Sequence, residues 1–248
     1  MTDTVKLRDG STVRDPRLAR LKQFDERSRR YPVKATVSAT RPRSYTWPCA
    51  QHLDQGREGA CVGFSITHEL VARPVEVKGL DGKFAKELIY WEAQRTDDWE
   101  GGSYPGAKPV YEGTSVLAGM KIAKKLGYIT EYRWAFGLDD LVMAVGHRGP
   151  AVLGLVWYDG MFEPYSCGHL HVEGDVAGGH AILCKGVNVE DRYFVLHNSW
   201  GPSWGRGGDA RITWAEMDRL LHEEGEACIP TQRGKGIVGT IKGLFKPR

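Results

Sequence analysis

The hydrophobic period of this chain changes near its middle, and that change constrains the fold more than any other feature. Helix-type spacing of apolar residues occupies about 61–72, where Pro74 stops it, then 84–95 and 114–126. Thr114 is placed to cap the third of these and Gly127 to end it. A shorter helical stretch, LDDLVMAVGH, runs out at Gly149-Pro150. Beyond that point come AVLGLVWY, GGHAILCKGVN, RYFVLHNSW and GDARITW. These are short, β-branched or aromatic, and separated by Gly, Asp and Pro, which is the pattern of antiparallel strands. WAEMDRLLHEEG adds one late helix. Helices first and strands second imply an α+β protein with two segregated lobes, and a site in the cleft between them.

Length and composition agree with a packed body. The chain has 248 residues, 41% hydrophobic and 26% charged, enough for one large domain or two closely packed lobes. No apolar run reaches a membrane span, and the first residues lack the apolar core of a secretory signal. Five cysteines is an odd, low number, so free thiols in a reducing, cytoplasmic setting are expected. Net charge is +3 but unevenly placed. Residues 1–45, with Pro16, Pro32 and Pro42, carry about +7 and read as an extended arm with one short helix. Residues 233–248 hold five basic residues and no acid, leaving the body at about −9. Basic ends on an acidic body are expected to dock on it or simply to aid solubility, with contact to a polyanion as the alternative. No zinc-knuckle, helix-turn-helix or P-loop spacing calls for nucleic acid.

The chemistry centres on QGREGACVGF. Cys61 stands at a Gly-rich bend where a helix begins, and a helix N-terminus favours a thiolate. A nucleophilic Cys needs a base, and the base needs an orienting group. His180, at the head of an apolar strand behind two glycines, is the candidate base. Asn198 is the candidate orienter, since an amide oxygen can accept from the imidazole N–H. Trp200 is placed to shield that bond, and Gln55 to donate to an oxyanion together with the Cys61 N–H.

QGREGAC, GGHAILCKGV and NSWGPSWGRGGDARI, in that order, resemble the papain family of cysteine peptidases over about residues 45–232. The resemblance implies a papain-like two-lobed fold, with a helical left lobe (about 46–145) and an antiparallel β-barrel-like right lobe (about 146–232). It makes Cys61 the nucleophile, His180 the base and acid, Asn198 the orienter and Gln55 the oxyanion donor. EGGSYPG resembles the family stretch that pairs with substrate backbone, which implies that Gly101 and Gly102 flank the bound peptide, with Gly179 and Trp200 also lining the cleft. Three positions depart from the family pattern. Glu58 replaces a disulfide cysteine, Val62 an aromatic, and Gly179 an Asp or Asn. About 42 residues precede the mature-like start, without the helical motif of the long inhibitory pro-segment, so the chain is most similar to small single-domain members of bacteria and phages. Residues 1–45 are expected to modulate access to the cleft.

Other residues read as structural. Cys184 belongs to an apolar strand, and Cys49 and Cys228 are expected as free thiols. Cys167, His169 and His171 alternate, but a fourth zinc ligand is not evident. His197 would face away from Asn198. The expected function is a cysteine endopeptidase acting through a thioester, monomeric, with a peptide or protein substrate and neither metal nor organic cofactor. The alternatives are a Cys–His amidase, transpeptidase or cell-wall peptide hydrolase on the same scaffold, and a non-catalytic peptide-binding protein.

Overall fold

The computed structural model describes residues 4–233. The expected basic tail therefore lies outside the described residues, except for Arg233.

The helical half is built on α1 (Cys61–Val71), every residue of which is buried. It packs against a helical segment that runs through a π-helical stretch (Phe84–Tyr90) into α2 (Trp91–Thr96). Gly63 permits this contact, because a Cβ there would lie 2.3 Å from the Ala85 carbonyl oxygen. Across α1 lies α3 (Val116–Lys125). Its cap is Ser115 rather than the expected Thr114: the Ser115 hydroxyl accepts from the Ala118 N–H, while Thr114 bonds Asp97. Gly127 ends the helix at φ +78°, as expected.

The four expected strands are β5 (Ala151–Tyr158), β6 (Val176–Asn188), β7 (Tyr193–His197) and β8 (Asp209–Thr213). Two more were not foreseen, β4 (Ile129–Ala135) and β9 (Glu226–Arg233). β9 lies between β4 and β5, and the order is β4-β9-β5-β6-β7-β8, all antiparallel. Pro230 obscured β9 as a strand. It falls past the stretch that pairs with β5, where its missing N–H breaks no ladder bond on that side. The central strands are buried on both faces. Leu153, Ile182 and Phe194 belong to one core, and Val152, Ala181 and Leu183 to the helical one. Two-sided burial is why AVLGLVWY lacks polar alternation.

Two expectations differ from the structure. Helix α4 (Leu138–His147) was assigned to the helical lobe, yet Leu141, Val142, Ala144 and Val145 pack into the sheet core, so the β-lobe starts before residue 146. The arm is not an extended tail with one short helix. It forms a hairpin of β1 (Val5–Lys6) and β2 (Thr12–Val13) and two short 3-10 turns, Glu26–Arg30 and Val33–Thr36. It then adds β3 (Tyr45–Thr46) to β6; α5 (Trp214–His222) closes the far side of the sheet. Leu7, Val13, Leu18, Leu21 and Val33 are all buried, so apolar contacts, and not charge alone, hold the arm. Fully buried Arg8 pins the hairpin by bonding the Asp97 carboxylate (2.7 Å) and the carbonyls of Gln94, Trp99 and Glu100.

Candidate active site

Cys61 is the first residue of α1, and no side chain caps that end. The sulphur sits at the free N–H groups of a helix start, and the Ala181, Ala19 and Val62 backbones beside it favour its thiolate. It is nonetheless fully buried, and burial outweighs those donors and pushes the thiol up to about 11.

His180 stands in the half of β6 that pairs with β5 alone, opposite Leu155. Its Nε2 bonds the Asn198 Oδ1 at 2.8 Å. The same oxygen accepts the Ser199 N–H at 2.8 Å. A backbone N–H can only donate, so the amide oxygen is oriented, Nε2 carries the ring proton, and Nδ1 is left as a bare base. Nδ1 is buried without a hydrogen-bond partner. Asn198 Nδ2 and the indole nitrogens of Trp157 and Trp200 are in the same position, so orphaned buried polar atoms gather at one place. Trp157 meets the imidazole edge-on at 4.6 Å and Trp200 covers it at 4.8 Å. Burial lowers the ring to about 4, against the raising effect of Asn198.

Gln55 is clamped at both ends of its amide. Oε1 accepts from the Ser199 hydroxyl at 2.7 Å, and Nε2 donates to the Glu58 carbonyl at 2.6 Å and, more weakly, to Arg17 at 3.4 Å. Ser199, which holds both Asn198 and Gln55, was missed as a site residue. Its signal was its place inside the NSW block.

The cleft is filled by the chain's own residues 17–21. Ala19 lies on the Cys61 sulphur and would touch any side chain at position 59. The Arg17 carbonyl accepts weakly from the Gln55 amide at 3.4 Å, and the Arg17 guanidinium lies 4.2 Å over Trp200. Along the walls, Arg20 N–H donates to the Gly179 carbonyl (3.0 Å), Leu21 N–H to the Thr114 carbonyl (2.9 Å), and Thr114 N–H to the Ala19 carbonyl (3.3 Å). Position 179 is glycine because a Cβ there would lie 2.4 Å from the Arg20 oxygen. The fold thus brings Gln55, Cys61, Gly179, His180, Asn198 and Trp200 together. Gly101 and Gly102 do not join them. Gly102 spends its N–H on the Pro109 carbonyl and its carbonyl on the Tyr111 N–H, so it has no free backbone to offer a peptide. Thr114, and not Gly102, pairs with the backbone of residues 19–21.

His169 and His171 turn to Tyr193 and Tyr165, and among the described residues no group of three or more ligands is arranged to hold a metal. All five cysteines are free, and only Cys167 is exposed. Among the described residues no helix is long and apolar enough to cross a membrane.

The chain is similar to known cysteine proteases in sequence and in fold. Cathepsin B-like CP2 of Giardia intestinalis is 34% identical over 109 residues, 41% of this chain and 35% of that protein. Cysteine proteinase 3 of Entamoeba histolytica is 24% identical over 198 residues, covering 71% of this chain and 64% of that one. The chain spans between a quarter and two thirds of the length of the curated relatives it matches. Xylellain, a cysteine protease from Xylella fastidiosa, shares the fold with a TM-score of 0.65 at 18% identity, over 88% of this chain and 97% of that one. A digestive procathepsin L 3 of Tenebrio molitor larval midgut follows at TM-score 0.56 and 17% identity, over 79% and 72%. The model of the papain family cysteine proteases matches residues 103–227, half of the sequence, including His180 and Asn198. The chain belongs to the papain family of cysteine proteases.

Proposed function

We propose that this chain is a cysteine endopeptidase using Cys61, His180, Asn198 and Gln55. The observation that carries the reading is the tie from Ser199 N–H through Asn198 Oδ1 to His180 Nε2, which leaves Nδ1 free as a base in the cleft that holds Cys61. In the open cleft the imidazole takes the thiol proton, and the sulphur attacks a peptide carbonyl. The Gln55 amide and the Cys61 N–H stabilise the oxyanion, and His180 protonates the departing amine to leave a thioester. Water activated by His180 then releases the acid. The five unpaired thiols support a reducing, cytoplasmic setting.

In the covered form the thiol lies near 11 and the imidazole near 4, so the proton stays on sulphur. Residues 17–21 thus act on access and on charge together: they exclude peptide, and they exclude the water that would let the thiolate–imidazolium pair form. Deleting the arm would strip Leu18 and Val33 from the β-lobe core, so a point substitution is the cleaner test. Ala19→Asp places a carboxylate against the sulphur and should displace the segment. Intact-mass spectrometry after treatment with a peptidyl epoxysuccinyl inhibitor should show one slow adduct on the native chain, a much faster one on Ala19→Asp, and none when Cys61→Ala is added. A folded Ala19→Asp protein that takes no adduct and cleaves no peptide would sink the reading.

A further inference from the structure

The turn that carries Gln55 has no covalent staple. Glu58 stands where the resemblance called for a disulfide cysteine, and all five cysteines of the chain are free. In place of a disulfide, the Glu58 carboxylate pairs with the Lys86 ammonium. Lys86 projects from the π-helical stretch Phe84–Tyr90, and its ammonium lies 5.2 Å over the Trp91 ring. Its neighbour Ala85 is wholly buried against Gly63 of α1, two residues beyond Cys61. Lys86 thus stands on a segment packed directly on the nucleophile helix.

The other end of the pair bears on Gln55, whose side-chain amide has two N–H groups. One donates to the Glu58 carbonyl at 2.6 Å, and the Glu58 N–H donates back to the Gln55 carbonyl at 3.3 Å. That leaves the second amide N–H for the cleft, where the Arg17 carbonyl takes it weakly at 3.4 Å. We infer that Lys86 is a positioning residue for peptide hydrolysis. By holding Glu58 it fixes the carbonyl that aims the free N–H of Gln55 at the oxyanion, in the place a disulfide would fill. The inference rests on the proposed role of Gln55. The Lys86 and Glu58 side chains are 33% and 41% exposed, so the pair adds little to folding stability and salt weakens it. Its effect is one of direction. A well-aimed oxyanion donor is worth about 10²–10³ in rate, and one free to turn away forfeits about 10-fold of it.

The test uses the full-length Ala19→Asp chain and compares two reactions at Cys61. Peptide hydrolysis passes through an oxyanion. Alkylation by iodoacetamide displaces iodide at a saturated carbon and forms none. Lys86→Met and Glu58→Gln should each lower kcat about 10-fold, with KM and the alkylation rate kept within about two-fold. Lys86→Arg should retain most of the rate, and the double variant Glu58→Gln/Lys86→Met should be no slower than either single one. Unchanged hydrolysis in a folded Lys86→Met protein overturns the inference. So does hydrolysis that falls in step with alkylation, since that marks a cleft loosened as a whole. A second measurement needs no turnover and uses the native chain. The two Gln55 side-chain amide protons, identified by NMR through their loss in Gln55→Glu, should lie far apart in shift and draw together in Lys86→Met. Protons that keep their shifts in Lys86→Met overturn the positioning, even in an inactive chain. Protons that respond to Lys86 in a chain that alkylates but cleaves no peptide would uphold the hold on Gln55 and remove the peptidase.

Discussion

His180 and His197 lie on the neighbouring strands β6 and β7, both wholly buried, and they are driven in opposite directions. Burial disfavours charge on each ring. For His180 that effect dominates, and the ring falls to about 4. For His197 the Asp209 carboxylate, 2.6 Å from Nδ1, with a further contribution from Cys49, overcomes it and raises the ring to about 9, which favours the imidazolium at neutral pH. Its second nitrogen donates to the Gln51 carbonyl, and Asp209 is shared with Lys185. The difference is the partner. An amide orients a ring and leaves its charge free to change; a carboxylate orients it and holds the charge. A base that must gain and lose a proton in each turnover needs the first arrangement, and a buried strut is served by the second.

The largest effect expected from this contrast is kinetic. His180→Gln, in the Ala19→Asp form, should lower Cys61 alkylation and peptide turnover by about 10³-fold, with thermal stability kept. His197→Gln should leave the rate per folded molecule within a few-fold. Equal losses from both would break the comparison.

The next effect is on stability. Asp209→Asn removes the counter-charge of His197 and Lys185 and should cost about 3 kcal/mol in urea denaturation, with activity per folded molecule retained. The pH dependence follows. A histidine whose folded pKa lies above its unfolded value, about 6.5, contributes its full stability below that value and loses it as pH rises through about 9. Native protein should therefore lose on the order of 3 kcal/mol from this group between pH 6 and 10, and Asp209→Asn should flatten that slope. A native slope of the opposite sign would count against a charged His197.

The smallest effect concerns Ser199. Ser199→Ala frees Gln55 Oε1 and should slow turnover by roughly 3- to 10-fold, at a stability cost of about 1 kcal/mol. The backbone N–H that orients Asn198 is kept, so the pH profile should not move. A shifted profile would show that the hydroxyl also tunes His180.

Much of the fold was legible because periodicity is a local property. Helices α1, α4 and α5 and strands β5–β8 follow their apolar spacing closely. β9 was hidden by Pro230 and β4 by its position directly after a helix; both are strands because they pair with each other. At the site, Cys61, His180, Asn198 and Gln55 could be picked out because each needs a particular functional group. Gly101 and Gly102 rested on resemblance alone, because a backbone position has no distinguishing chemistry in a sequence. What matters there is whether its N–H and carbonyl are already spent, and those of Gly102 are.

By itself, then, the sequence determined the order of helices and strands, the residues able to act as nucleophile, base, orienter and oxyanion donor, and the basic character of the first 45 residues. Only the tertiary structure decided that residues 17–21 fill the cleft, that Thr114 and Gly179 form the walls, and that one buried histidine meets an amide and the other a carboxylate. Those outcomes depend on which groups meet across long stretches of chain and which lose water when they meet, and side-chain spacing along a strand or helix carries no record of either.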